Sequence, residues 1–172
     1  MSAGLPRLVV FAGLPGVGKS ALSREVARAL GACWLRVDTI EASLLAAGLP
    51  RSFETGLAAY VAASDLAADR LALGGDVVVD AVNGVEEARR MWRELAARAP
   101  AALRFVEVSC SDPAEHRRRV ESRGRPTPPL PAPTWPEVVA REYQPWSEPR
   151  LRVDGIRPVT ENVARILREL SA

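Results

Sequence analysis

Lysine is nearly missing from this chain. Of its 23 lysines and arginines, Lys19 is the sole lysine, and the other 22 are arginines. Cysteine is scarce too: Cys33 and Cys110 are too few and too far apart for a disulfide framework. With His116 as the one histidine, no Cys/His cluster has the spacing of a zinc site. An excess of one charge is also lacking. The formal net charge of +2 does not call for nucleic acid or an anionic membrane, and neither is expected as a partner. The longest apolar stretch, Leu8 to Leu14, falls far short of a bilayer span. It runs straight into a glycine-rich loop, which argues against a secretory leader. No repeat or boundary divides the 172 residues, so 1–172 reads as one domain with room for a core, expected in the cytosol.

What is present is concentrated near the start. Gly13-Leu14-Pro15-Gly16-Val17-Gly18-Lys19-Ser20 fits G-x-x-x-x-G-K-[ST] at every fixed position. Before it, Leu8 to Ala12 is apolar and short enough for a buried strand. After it, Leu22, Val26 and Leu30 recur at the four-residue spacing of one helix face. Strand, loop and helix together are the context this pattern needs. Glycines let successive N–H groups curl inward, and the helix N-terminus adds partial positive charge. The backbone from Gly13 through Ala21 is the expected cradle for a nucleoside triphosphate. Lys19 is expected at its β- and γ-phosphates, and the Ser20 hydroxyl at a bridging Mg2+. A chain that otherwise uses arginine has its lysine where a compact point charge suits phosphate. ATP with Mg2+ is the expected cofactor, GTP being the other purine triphosphate the pattern admits.

Downstream, strands and helices alternate. Cys33 to Val37 reads as a second strand ending at Asp38, with a helix from Thr39 to Ala47. A long helix follows from about Glu54 to Leu73, its apolar stripe formed by Leu57, Tyr60, Val61, Ser64, Ala68 and Leu71. Asp76 to Asp80 is a third, β-branched strand of the kind buried on both faces. Val85 to Arg98 reads as a helix with Trp92 and Leu95 inward and four arginines outward. Leu103 to Cys110 is the fourth strand, and Asp112 is placed to cap a helix bearing Arg117, Arg118, Arg119 and Arg123. Six prolines between Pro126 and Pro136 stop both helix and sheet. Trp135 to Tyr143 is a short helix, Leu151 to Val153 the fifth strand, and Thr160 the expected cap of a last helix. Such alternation predicts an α/β fold, a parallel sheet covered on both sides, with ligands beyond the carboxyl ends of its strands.

So assembled, the chain resembles the P-loop small-molecule kinases, the group containing chloramphenicol phosphotransferase, zeta toxins, gluconate kinases and AAA-type ATP-binding proteins. The likeness is carried by Gly13 to Ser20, Asp38-Thr39-Ile40, Asp80-Ala81-Val82-Asn83, Arg119 and Arg123, and Tyr143-Gln144-Pro145-Trp146. It implies a P-loop NTPase fold of the nucleoside-monophosphate-kinase type, five parallel strands in the order 2-3-1-4-5, with an Arg-rich lid over about 113–136. It also implies transfer of the γ-phosphoryl group to a hydroxyl of a small molecule by a monomer or homodimer. In these kinases a residue at the position of Asp38 orients or deprotonates the acceptor. The long third helix borders the acceptor pocket, which makes Arg51 and Phe53 candidate contacts, and Asp80 and Asn83 are candidates from the end of the third strand. One departure stands out. Relatives often have Asp-x-x-Arg where this chain has Asp38 followed by Glu41, which shifts the expected acceptor from anionic to neutral or cationic, such as a sugar-like or antibiotic hydroxyl.

Each residue also has a structural reading. Asp38 serves either the acceptor or the N-terminus of the helix after it. Asp80 is a magnesium holder through water, an acceptor contact, or a turn residue. Arg119 and Arg123 share a helix face and suit the charge on a transferring phosphoryl group. Alternatively, the arginines form a solvated face balanced by Glu115 and Glu121. Asp65 and Asp69, one turn apart, suit an amine. His116 reads as a surface residue. Arg125, Pro128 and Pro131 fit R-x-x-P-x-x-P, an SH3-ligand pattern, but read better as a stiff lid segment. Rival functions are a nucleic-acid end kinase, which needs a basic track for the strand, and an ATP-binding regulatory switch without an acceptor.

Overall fold

The computed structural model describes residues 4–122 and 129–171. Five strands, β1 (Arg7–Ala12), β2 (Cys33–Arg36), β3 (Val77–Asp80), β4 (Ala102–Ser109) and β5 (Leu151–Asp154), lie parallel in the order β2-β3-β1-β4-β5. Among the described residues the helices are α1 (Lys19–Leu30), α2 (Val37–Ala46), α3 (Phe53–Ala72), α4 (Glu86–Arg98), α5 (Pro113–Ser122) and α6 (Trp135–Val139) between strands and α7 (Val159–Ser171) after the last. This is the strand order that the kinase resemblance implies. None of the described helices is long and apolar enough to cross a membrane.

The central strands β1 and β3 are almost wholly buried because each of their faces carries its own core layer. Leu8 and Val10 of β1, with Val77 and Val79 of β3, pack against Ala59, Ala63, Trp92 and Leu95 of α3 and α4. Their neighbours Val9, Phe11 and Val78 face the other way, onto Leu22, Val26 and Ile166 of α1 and α7. Period two along each strand thus divides one sheet between two helical layers.

Several elements differ from their expected form. The α2 helix begins at Val37, so β2 stops at Arg36 and Asp38 lies in the helix's first turn rather than at a strand end. On α3 Ser64 and Leu71 are buried as expected, but Thr55, Ala59, Ala63 and Ala67 complete the buried stripe, whereas Leu57 and Val61 are about half exposed, at 49% and 46%. Small side chains let that helix lie close to the sheet. The α7 helix starts at Val159, which puts Thr160 inside its first turn instead of at the cap. Asp112 does cap α5, its Oδ1 accepting from Ala114 N (2.9 Å) and Glu115 N (3.2 Å).

Arg89 departs furthest, being fully buried on α4 instead of facing water. Its guanidinium donates to the carbonyls of Asn83 (3.0 Å), Gly84 (3.0 Å), Gln144 (2.8 Å) and Pro145 (2.8 Å). It also sits 3.9 Å above the Trp146 ring. The Tyr143-Gln144-Pro145-Trp146 segment is therefore a clamp on a buried cation. Burial works against the charge and lowers the Arg89 pKa, while Tyr143, Glu86 and Glu107 act the other way.

Candidate active site: a phosphate loop between two clefts

The loop after β1 is shaped by what its glycines allow. A Cβ on Gly13 would stand 2.2 Å from the Val108 carbonyl oxygen, so only glycine passes there, and its N–H is tied to Val82 O at 3.0 Å. Gly18 is the N-cap of α1 at φ 103°, the left-handed region, and no side chain caps the helix. This end of α1 therefore presents the positive end of the helix dipole at the loop. Leu14 and Val17 turn their side chains into the core below, leaving backbone on the outer surface of the loop. Lys19 is largely buried, its Nζ donating to Leu14 O at 3.1 Å.

Two clefts open on either side of Lys19 and Ser20. One is lined by Gly16, Gly18, Lys19, Ser20, Ala21 and Arg119. The other holds Lys19 and Ser20 with Asp38, Glu41, Arg51, Asp80 and Arg141, roofed by Leu130, Pro131 and Pro133. A larger cavity of about 540 Å³ lies elsewhere, lined by Leu103, Phe105, Leu151 and Leu170, and includes none of the loop residues.

Charge is arranged differently in the two. In the first, Arg119 donates to Glu115 Oε1 (2.7 Å) and to Gly155 O (2.9 Å), which holds it beside Gly18. Arg118 and Arg119 together pull the Glu115 carboxyl down to about 2. In the second, burial raises the Glu41 pKa and neighbouring Asp38 raises it further, against smaller opposing effects of Arg51 and Arg141. Asp80 is buried at the end of β3, with Arg36 Nε 3.6 Å from its Oδ2. Behind it, burial pushes the Tyr60 hydroxyl up to about 12.

The residues fit a magnesium nucleotide. An uncapped helix N-terminus, a glycine loop and a lysine suit a polyanion. No group of three or more His, Cys, Asp or Glu able to hold an ion occurs among the described residues. Ser20 and Asp80 in one cleft suit a magnesium that arrives with phosphates and keeps most of its waters.

Residues 8–142 match the AAA domain family. The chain belongs to that family. This AAA domain has no match among curated proteins. Among solved structures it is similar to the APS kinase of Mycobacterium tuberculosis in complex with AMPPNP and APS, at 23% identity over 97% of this chain and 98% of that one, with a TM-score of 0.75. It is similar also to a sugar kinase from Janibacter sp. HTCC2649, at 18% identity, 96% and 95% coverage and a TM-score of 0.73. A gluconokinase from Sinorhizobium meliloti 1021 matches at 22% identity, 97% of each chain and a TM-score of 0.64. At these identities the likeness is one of fold, and the strand order of this AAA domain agrees with it.

Most of the expected site residues of the AAA domain converge, but not all. Lys19, Ser20, Asp38, Arg51 and Asp80 share one cleft. Asn83 does not join them. It is fully buried, its Nδ2 donates to Phe11 O (2.8 Å) and its Oδ1 accepts from Trp92 Nε1 (2.8 Å), so its amide is spent on the fold. Phe53 is 79% exposed at the start of α3 and lines neither cleft. Asp65 is outside the clefts as well, with Arg98 as its ion partner at 3.6 Å. Arg123 lies outside the described residues, as do Arg125 and Pro128 of the proline-rich pattern. The α5 arginines need no bound anion to offset their repulsion, since Glu121 pairs with Arg117 and Glu115 with both Arg118 and Arg119. The capping reading of Asp38 also fails, because the N-cap of α2 is Arg36 and no side chain caps that helix.

Two residues were missed. His116 is buried rather than on the surface, its Nε2 2.8 Å from Pro15 O and its ring edge-on to Trp135. Arg141 lines the second cleft. It follows α6, which ends at Val139, and no local pattern ties so distant a residue to the loop.

Proposed function

We propose that the protein is a Mg2+-dependent kinase that passes the γ-phosphoryl group of ATP to a hydroxyl of a small molecule. One observation carries this reading: two clefts meet at Lys19 and Ser20, and a carboxylate, Asp38, stands in one of them. A donor on one side and an acceptor on the other is the arrangement that in-line phosphoryl transfer requires. The nucleotide supplies the phosphoryl group and its magnesium spreads the negative charge. Backbone N–H groups from Gly13 to Ala21 hold the phosphates, and Lys19 neutralises charge on the bridging oxygens. Ser20 and Asp80, which share one cleft, would hold the ion that comes with the nucleotide, Asp80 through a water. Asp38 accepts the proton of the attacking hydroxyl as the new O–P bond forms and the old one to the β-phosphate breaks. Arg119, beside Gly18, stabilises the charge that develops on the leaving side.

The acceptor wall favours a neutral, hydroxyl-rich molecule. It has Asp38 and Glu41 on α2, with the guanidiniums of Arg51 and Arg141 in the same cleft. With two carboxylates and two guanidiniums in one cleft, neither an anionic nor a cationic acceptor finds an excess of opposite charge to draw it in.

Incubation with γ-labelled ATP and a panel of sugars, polyols and hydroxylated antibiotics tests the proposal. Label on a small alcohol supports it. Label on an oligonucleotide end, or no transfer despite ATP binding, overturns it in favour of a nucleic-acid kinase or a switch. With the acceptor in hand, Asp38→Asn should keep ATP affinity and lose about 10²–10⁴-fold in turnover, the usual contribution of a general base. A wild-type rate in that variant would remove Asp38 from the chemistry.

A further inference from the structure

The proposed chemistry makes no use of the only histidine, which is buried against the phosphate loop. His116 lies on α5, more than a hundred positions from the loop in sequence, with Nε2 2.8 Å from the Pro15 carbonyl oxygen. A carbonyl oxygen can only accept, so Nε2 carries the proton. The ring is braced from the other side by the edge-on contact with Trp135, the first residue of α6, at 5.1 Å between centroids. A Cβ at Gly16 would come within 3.3 Å of the ring, so imidazole and loop are in close contact.

The geometry of one peptide gives this contact a purpose. The bond from Pro15 to Gly16 is planar, and in the trans form its C=O and N–H point in opposite directions. Holding the Pro15 oxygen toward His116 turns the Gly16 N–H away from it. Gly16 lines the cleft shared by Gly18, Lys19 and Ser20. We propose that His116 is a positioning residue for the nucleotide phosphates: by donating to the Pro15 carbonyl it aims the Gly16 N–H at the anion the loop encloses. This rests on the reading of the loop as a triphosphate site. It adds that α5 and α6 set the loop's affinity through one imidazole.

Two variants and one spectrum test it. His116→Phe keeps a ring against Trp135 and removes the donor, whereas His116→Gln returns an N–H near the position of Nε2. By calorimetry with Mg2+, His116→Phe should bind ATP and ADP about tenfold more weakly, the worth of a charge-directed hydrogen bond near 1.4 kcal/mol. His116→Gln should recover most of that loss, which a purely structural role for the ring would not produce. Wild-type affinity in His116→Phe, or no recovery in His116→Gln, overturns the proposal. The spectrum needs no variant, because a single histidine gives one set of imidazole ¹H–¹⁵N signals. A proton on Nε2 that exchanges more slowly once ADP is bound supports the proposal, and an Nε2 without a proton overturns it even if His116→Phe fails to fold. If the unaltered protein takes up no nucleotide, the triphosphate reading has failed instead, and the spectrum still reports separately on the His116–Pro15 bond.

Discussion

Asp38 and Glu41 stand one turn apart on α2 and line the same cleft. Burial disfavours the charge of Glu41, and the nearby Asp38 carboxylate adds to the effect. A carboxyl whose pKa is raised on folding adds most stability below its ordinary value of 4.5 and loses it as the pH rises through the folded value. Glu41→Gln should therefore raise the melting temperature at pH 7, and the gain should vanish near pH 4. Equal melting temperatures at pH 7 would show that Arg51 and Arg141 already balance the charge. At this scale the sequence was legible where a residue's role is local. Lys19 and Ser20 are defined by their own loop, and Asp112 by the helix it caps. His116 was not legible, because its partner is a carbonyl a hundred residues away and its neighbours in sequence are charged. Nor was the engagement of Asn83, whose φ of 47° and amide contacts arise only when β1, α3 and α4 meet.

Among the elements, α4 illustrates how a spacing can be right and its chemistry wrong. Arg89 is four residues after Val85 and three before Trp92, which puts it on the inward face. A charged residue argued for the outward one. The four carbonyls that receive its guanidinium settle the conflict, since buried charge persists only when its hydrogen bonds are made. Arg89→Met should take the donor from the Asn83, Gln144 and Pro145 carbonyls, while Gly84 O keeps its bond from Gln144 N (2.8 Å), and cost on the order of 3 kcal/mol or more, at roughly 1–3 kcal/mol for each unsatisfied buried group. Denaturant unfolding checks this through a lower midpoint at unchanged slope. A loss below about 1 kcal/mol would mean that the Tyr143–Trp146 segment holds its place without the clamp. The α3 helix teaches a related lesson. Alanine is weakly hydrophobic, so Leu57 and Val61 suggested the buried stripe, yet the tight approach of α3 to the sheet selects Ala59, Ala63 and Ala67. Boundaries moved by one to four residues, α6 stopping at Val139 instead of Tyr143, and the important case is α2, whose early start turns Asp38 from a strand end into a first-turn residue.

For the molecule as a whole, the parallel sheet could be anticipated because strand and helix periods alternate cleanly, whereas its order β2-β3-β1-β4-β5 was implied only by the resemblance to the P-loop kinases. The donor side of the site came with it, being built from consecutive residues. The acceptor side is assembled from four separate places: α2, the segment before α3, the end of β3, and the stretch from Leu130 to Arg141. Composition and periodicity say nothing of how such pieces meet, which is why Arg141 came only from the structure, whereas the proline-rich segment that supplies Pro131 and Pro133 was already expected as a lid. The central claim is that the loop around Lys19 holds a magnesium nucleotide. Calorimetric titration of ATP in the presence of Mg2+ tests it most directly. Heat should saturate at one nucleotide per chain, and Lys19→Ala should lose most of it with its melting temperature unchanged. Absence of heat from the unaltered protein with both ATP and GTP would contradict the account.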